Sequence, residues 1–273
     1  MPIRLLSQTP RKHKTLSYRQ QDCGNLPEFI YGKFGLDYTI NYEGLAIAFE
    51  ETGGMYHYWR NINDWKYETR IAVTDGNCLI HPVEPLNLPE NVTDFLEISF
   101  DEIRVEPRGK TIIFLTIPIE IGIFVESKDG TSSLLDVVTF TYPKYSLYGS
   151  ANRGVITRWC KSPVYADPPL LRNHLQGTIR LEIENTLDEW VPVSRVVLYQ
   201  KGLVLYYDQT TVSACAVMTI TAPDVASVYG IDLPLRPEMT QCAQIFEPRK
   251  TTPFYNIPGM LVDKIFTMDM GLM

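Results

Sequence analysis

The sequence predicts an all-β protein of antiparallel β-sandwich architecture, two packed β-sandwich units with very little helix, and three observations carry that prediction. Apolar and polar residues alternate with a period of two through almost every long segment after Phe29, the signature of half-buried strands. Reversal signals such as Gly53-Gly54, Asp75-Gly76 and Lys201-Gly202 punctuate those segments at short intervals. No stretch keeps a helical period for more than about two turns. More than a dozen short strands exceed one twisted sheet, so two packed sheets per unit and two units are expected.

Taken in order, residues 1–28 form a basic polar extension. Arg4, Arg11, Lys12, Lys14 and Arg19 against Asp22 and Glu28 leave it at +3 and the rest of the chain at −10. Such an arm is solvated, folded back on its own surface, or docked on an acidic partner or a membrane surface. Leu45, Ile47 and Phe49 alternate with Ala46, Ala48 and Glu50, and Gly53-Gly54 reverses the chain into residues 55–59, which makes a hairpin. Ile71 and Val73 lead to Asp75-Gly76 and residues 78–83 return, a second hairpin. Residues 89–95 best suit the one short helix. Leu96, Ile98 and Phe100 share a face, Asp101-Glu102 forms a crest, and Ile103 and Val105 return as a third hairpin. Residues 111–125 are a long apolar stretch in which Pro118 cannot donate to a ladder, so it marks a bend, an edge or a change of sheet. Pro143 and a glycine-punctuated loop then divide a first unit, 29–142, from a second, 143–273. In the second unit Ile179, Leu181 and Ile183 alternate with polar residues as an antiparallel strand wet on one side. Residues 193–200 and 203–207 flank Lys201-Gly202 as a fourth hairpin, residues 212–221 form another strand, and 260–268 form a last one after a proline-rich run.

Composition narrows the function classes. The 273 residues are 45% hydrophobic and 21% charged, which excludes a disordered chain and a coiled coil. A net charge of −7 argues against a nucleic-acid partner. The apolar run 112–125 holds Pro118 and Glu120 and is shorter than the about 20 residues of a membrane-spanning helix. With no signal-peptide pattern at the amino terminus either, the expected location is the cytoplasm. Cys23, Cys78, Cys160, Cys215 and Cys242 are odd in number and form no CxxC pair, so free thiols are expected. His13, His57, His81 and His174 show no metal-ligand or triad spacing, and phosphate-binding glycine loops are absent. No cofactor is expected and nothing recommends a metal.

Two segments depart from a plain sandwich. Glu120 stands among Ile119, Ile121 and Ile123, where an ionised carboxylate is expensive unless a cation or hydrogen bonds meet it. Lys144, Tyr145, Tyr148, Arg153 and Arg158 follow within one loop-and-strand segment. In the structural reading Glu120 pairs with Arg158 or Lys144 to fix sheet register while the tyrosines fill a corner. In the functional reading these guanidinium, ammonium and phenol groups line a pocket for an anion or a sugar, with Asp136 as a further carboxylate nearby. The 16 tyrosines read as cross-strand pairs, and Trp59 with Trp65 is the one pair placed for stacking on a sugar.

Several stretches together resemble an uncharacterised archaeal domain-of-unknown-function family, number four hundred and thirty-two. They are Tyr31-Gly32, Tyr58-Trp59-Arg60, residues 82–89 before Asn91-Val92-Thr93-Asp94, Pro118-Ile119-Glu120-Ile121-Gly122 and Lys144-Tyr145-Ser146-Leu147-Tyr148-Gly149. Residues 154–159, Glu184-Asn185-Thr186, residues 190–197 and the 268–272 tail extend the likeness over residues 29–273. The resemblance implies an archaeal source, a β-rich fold and no assigned chemistry. Through relatives joined to, or encoded near, mechanosensitive-type channels it also implies a soluble regulatory or assembly module with a channel-associated partner. The leading expectation is therefore a non-catalytic module that binds itself or another protein. The alternative is a ligand-binding protein or enzyme for a small anion or sugar, using segment 144–158 with Glu120.

Overall fold

A computed structural model describes residues 29–62, 65–86, 92–149, 154–245 and, by backbone alone, 265–269. Strand β1 (Gly32–Gly35) is followed by a four-stranded meander, β2 (Thr39–Tyr42), β3 (Leu45–Thr52), β4 (Met55–Ile62) and β5 (Trp65–Ile71), each antiparallel to the next. β6 (Asn77–Val83) returns to pair with β1, and the chain then departs for a second sandwich as β7 (Phe95–Val105) and β8 (Lys110–Pro118). It comes back once, as β9 (Glu120–Glu126) and β10 (Ser132–Val138), completing a sheet of order β1-β6-β9-β10 that faces the meander.

The following strands build the second sandwich around β7 and β8. These are β11 (Lys144–Tyr148), β12 (Val155–Lys161), β13 (Gln176–Asn185), β14 (Val191–Tyr199), a short 3₁₀ turn at Gln200–Gly202, β15 (Tyr206–Tyr207), β16 (Val212–Ala222), β17 (Val225–Ile231), β18 (Thr240–Gln241) and β19 (Ile265–Asp269). One of its sheets runs β11-β12-β7-β14, and the other β18-β15-β16-β13-β8, with β17 on β16 and β19 on β17. Backbone hydrogen bonds thus cross the boundary expected after Tyr142, because β7 and β8 precede it and pair with β12, β14 and β13, which follow it. Period-two alternation accounts for both cores. Leu45, Ile47, Phe49 and Tyr58 meet Cys78, Ile80, Ile121 and Ile123 in the smaller one. In the larger, Leu96, Ile98, Val196 and Leu198 meet Leu115, Ile179, Leu181, Ala214 and Met218.

The all-β expectation stands, and the Gly53-Gly54 hairpin forms as β3–β4. Three other expected hairpins do not. Asp75-Gly76, with Asp75 at φ 52°, joins β5 in one sheet to β6 in the facing one, so its reversal passes between layers. Asp101-Glu102 lies inside the single strand β7, where residues 99–103 oppose only 193–195 of β14; the polar pair is a bulge rather than a crest. Lys201-Gly202 carries the chain from β14 to β15, which pairs with β16 and β18 instead. β13 is antiparallel to β8 but parallel to β16. Of the expected helix over 89–95, residues 89–91 lie outside the described residues and Phe95 already opens β7. Pro118 does mark a change of sheet.

Asn185 locks the far end of the larger sandwich. Its Nδ2 donates to the carbonyls of Val105, Glu106 and Glu189 at 3.2, 2.9 and 2.8 Å, and its Oδ1 accepts the Leu187 N–H at 3.0 Å. One buried amide thereby ties the β7–β8 turn to the β13–β14 turn. Asn185→Ala leaves those groups without the amide, and urea denaturation is expected to show a loss of about 2–3 kcal/mol, at the upper range for orphaning buried hydrogen-bonding groups.

Candidate functional site

Glu120 stands where the chain changes sandwiches. β8 ends at Pro118, Ile119 donates its N–H to the Leu175 carbonyl at 3.3 Å, and β9 begins at Glu120. Alternation along β9 turns Ile121 and Ile123 into the smaller core and sends Glu120 to the opposite face of the sheet, toward the larger sandwich. Burying a carboxylate there costs several kcal/mol unless a cation meets it. Arg158 of β12 meets it, with Nη1 donating to Glu120 Oε1 at 2.6 Å and also to the Pro85 carbonyl. Both side chains are sealed, since Glu120 is 1% and Arg158 3% exposed.

The same joint collects other polar groups and holds most of them neutral. Glu84 follows β6, and burial, reinforced by the charge of Glu120, pushes its carboxyl up to about 7. His81 accepts the Ala243 N–H on Nδ1 at 2.8 Å, so its proton sits on Nε2, 3.3 Å from the Tyr207 hydroxyl. Burial lowers the His81 pKa to about 4. Burial also raises the Tyr31 phenol and, with Glu84 adding to it, the Cys242 thiol well above their usual ranges. At the other end of the joint Asn173 clamps the Phe29 backbone, accepting its N–H at 3.1 Å and donating to its carbonyl at 2.9 Å. Beside it His174 packs on the rings of Tyr42 and Phe140 and places Nε2 3.1 Å from Glu43 Oε2. The raised pKa values keep the Tyr31 phenol and the Cys242 thiol protonated at neutral pH.

The residues singled out from the sequence separate into different places. Glu120 and Arg158 converge. Lys144 does not join them, because it is in register with Trp159 while Tyr145 is in register with Arg158, and neighbours along a strand point to opposite faces. Tyr148 is buried against the larger core. Asp136 lies next to a bulge in β10 and is held in the smaller sandwich, where Arg60 Nε donates to Oδ2 at 2.6 Å and the Tyr58 hydroxyl donates to the same atom at 2.7 Å. Arg153 lies outside the described residues. Trp59 and Trp65 fall on opposite faces of the β4–β5 hairpin, so they form no common platform. Glu84, Tyr207 and Asn173 were not singled out, and His81 and His174 stood out only as histidines without ligand or triad spacing; the alternation of β6, which sets His81 on the face opposite Ile80, was the one available sign.

Two concavities among the described residues, about 280 and 190 Å³, are lined by residues around Ile71 and Leu134 and by residues around Tyr38 and Tyr42. Neither includes Glu120, Lys144 or Arg158, and both fall below the roughly 300–1,000 Å³ usual for small-molecule sites. No three His, Cys, Asp or Glu side chains converge in metal-holding geometry among the described residues. Among them no helix is long and apolar enough to cross a membrane. Cys78, Cys160, Cys215 and Cys242 are unpaired, and Cys23 lies outside the described residues.

Compared with known families, the chain matches the model described as "Protein of unknown function (DUF432)" over residues 30–269. No curated protein and no solved structure matches it.

The raised pKa of Glu84 fixes a sign for pH dependence. Between about 4.5 and 7 the unfolded chain ionises this group while the folded chain keeps its proton, so the folded state loses stability as pH rises and levels off above 7. The full effect is up to about 3 kcal/mol. His81, lowered to about 4, acts in the opposite sense, since its contribution is lost as pH falls from 6.5 toward 4. Denaturation of Glu84→Gln beside the parent chain isolates the first effect, and the variant's relative stability is expected to climb between pH 4.5 and 7.

Proposed function

We propose that this chain, which belongs to the family of unknown function whose model it matches, is a non-catalytic module that acts by binding protein. The observation that supports this reading most is the closure of the Glu120–Arg158 joint, where the polar groups most suited to hold a small ligand are spent on each other. Large apolar side chains are instead displayed on strands: Trp65 and Tyr67 on β5, Leu147 on β11 and Ile156 on β12 are all exposed. The competing reading, an anion or sugar site along segment 144–158, needs Lys144 and Arg158 on one face, and their register puts them on two.

Thermal denaturation separates the readings. A ligand at a hundred times its Kd adds about 2.7 kcal/mol, a rise in Tm of several degrees for a chain of this size. Inorganic phosphate, sulfate and a panel of neutral and acidic sugars at millimolar concentration are expected to leave Tm within about 1 °C. A saturable rise that Lys144→Met abolishes would replace this proposal with the ligand-binding one.

A further inference from the structure

A sheet edge left open is a template for another strand, and folded proteins blunt such edges by short strands, bulges, prolines or covering segments. Among the described residues, several edges carry one of these devices. β1 and β2 are four residues long, β10 is bulged at Asp136, β14 holds Pro192 beside the bulge of β7, and Phe114 of β8 exchanges backbone hydrogen bonds with Tyr165. β5 carries none. β5 is seven residues long, in unbroken register with β4, free of proline and glycine, and among the described residues paired with β4 alone. It also displays the apolar area least suited to solvent, with Trp65 70% and Tyr67 40% exposed on the face it shares with Ile62 and Arg60.

The residues of β5 are complementary to themselves. In an antiparallel two-fold pairing centred on Tyr67, Lys66 stands opposite Glu68 of the second copy, twice by symmetry. Trp65 stands opposite Thr69, and Tyr67 opposite Tyr67, which are favourable aromatic and β-branched cross-strand pairs. Moving the centre to Glu68 sets that residue against itself and Lys66 against Arg70. A centre on Thr69 matches Glu68 with Arg70 but leaves Trp65 outside the seam. Within one chain Lys66 and Glu68 already form an exposed ion pair at 2.9 Å, so exchanging partners across the seam costs no unpaired charge. We propose that β5 is a homodimer edge, where a second copy of this chain adds its own β5 antiparallel and in register about Tyr67, joining the two meanders into one eight-stranded sheet. This deepens the reading of the chain as a protein-binding module by naming the partner and the strand.

Sedimentation equilibrium of the full chain tests it. The wild type is expected to associate to twice its 31.2 kDa mass. Lys66→Glu and Glu68→Lys, each of which places like charges opposite each other twice, should weaken the dimer about tenfold or more. The double variant K66E/E68K restores both opposite-charge pairs of the Tyr67-centred register and should regain the dimer, with circular dichroism verifying that all four proteins fold. A wild type that remains monomeric at the highest soluble concentration overturns the proposal, as do single variants that dimerise like the wild type or a double variant that stays dissociated. Those outcomes leave the protein-binding reading intact, because that reading fails on the small-ligand titrations instead.

Discussion

One ion pair stands where the two sandwiches are tied into a single molecule. The chain enters the larger sandwich as β7 and β8 and must return to the smaller one as β9, and the crossing residue is Glu120. Being first on its strand and pointing away from the smaller core, it is carried into the joint by the same alternation that buries Ile121 and Ile123. A lone carboxylate there would be untenable. Arg158, brought to the site by the parallel pairing of β12 with β7, supplies the charge and also takes up the Pro85 carbonyl at the end of β6. The pair therefore touches the departure, the return and the neighbouring strand of both sandwiches at once.

Burial keeps the rest of the joint neutral. Burial, with the charge of Glu120 adding to it, raises the Glu84 carboxyl to about 7. His81 stays neutral between the Ala243 amide and the Tyr207 hydroxyl, and the Cys242 thiol stays protonated. A buried ion pair with hydrogen-bonded neighbours contributes less net stability than an apolar replacement can, but it penalises any arrangement that leaves one partner behind. At a crossing between two sandwiches, that penalty selects one way of docking them. On the outward surface β5 pairs with β4 alone among the described residues and exposes Trp65 and Tyr67.

Strand existence was legible in the sequence because burial on one face writes a period of two, as in Leu45, Ile47 and Phe49 or in Ile179, Leu181 and Ile183. Pairing was less so. Asp75-Gly76 and Lys201-Gly202 are sound turn signals, yet a turn states that the chain reverses and not whether the next strand joins the same sheet or the facing one. Asp101-Glu102 shows the complementary failure, since a polar pair interrupting alternation reads alike as a crest or a bulge, and only the partner strand β14 decides. At the candidate site the partnership of Glu120 with a cation followed from desolvation alone. The choice of Arg158 over Lys144 did not, because it rests on whether the register of β11 on β12 sums to one residue more or less, and a slip of one residue would exchange their faces. Asp136 does lie on a strand beside β9, but the partner that holds it, Arg60, is seventy-six residues away, beyond any local pattern.

The central claim is that Glu120 and Arg158 hold the joint as a pair, and a double-mutant cycle measures that directly. Glu120→Gln and Arg158→Met should each cost about 3–5 kcal/mol in urea denaturation, because each abandons a buried charge. The double variant should cost far less than their sum, a coupling well beyond the 0.3–0.5 kcal/mol within which independent sites add. Single losses below about 0.5 kcal/mol, or losses that simply add, would show that Glu120 meets solvent and that the two sandwiches are held by something else.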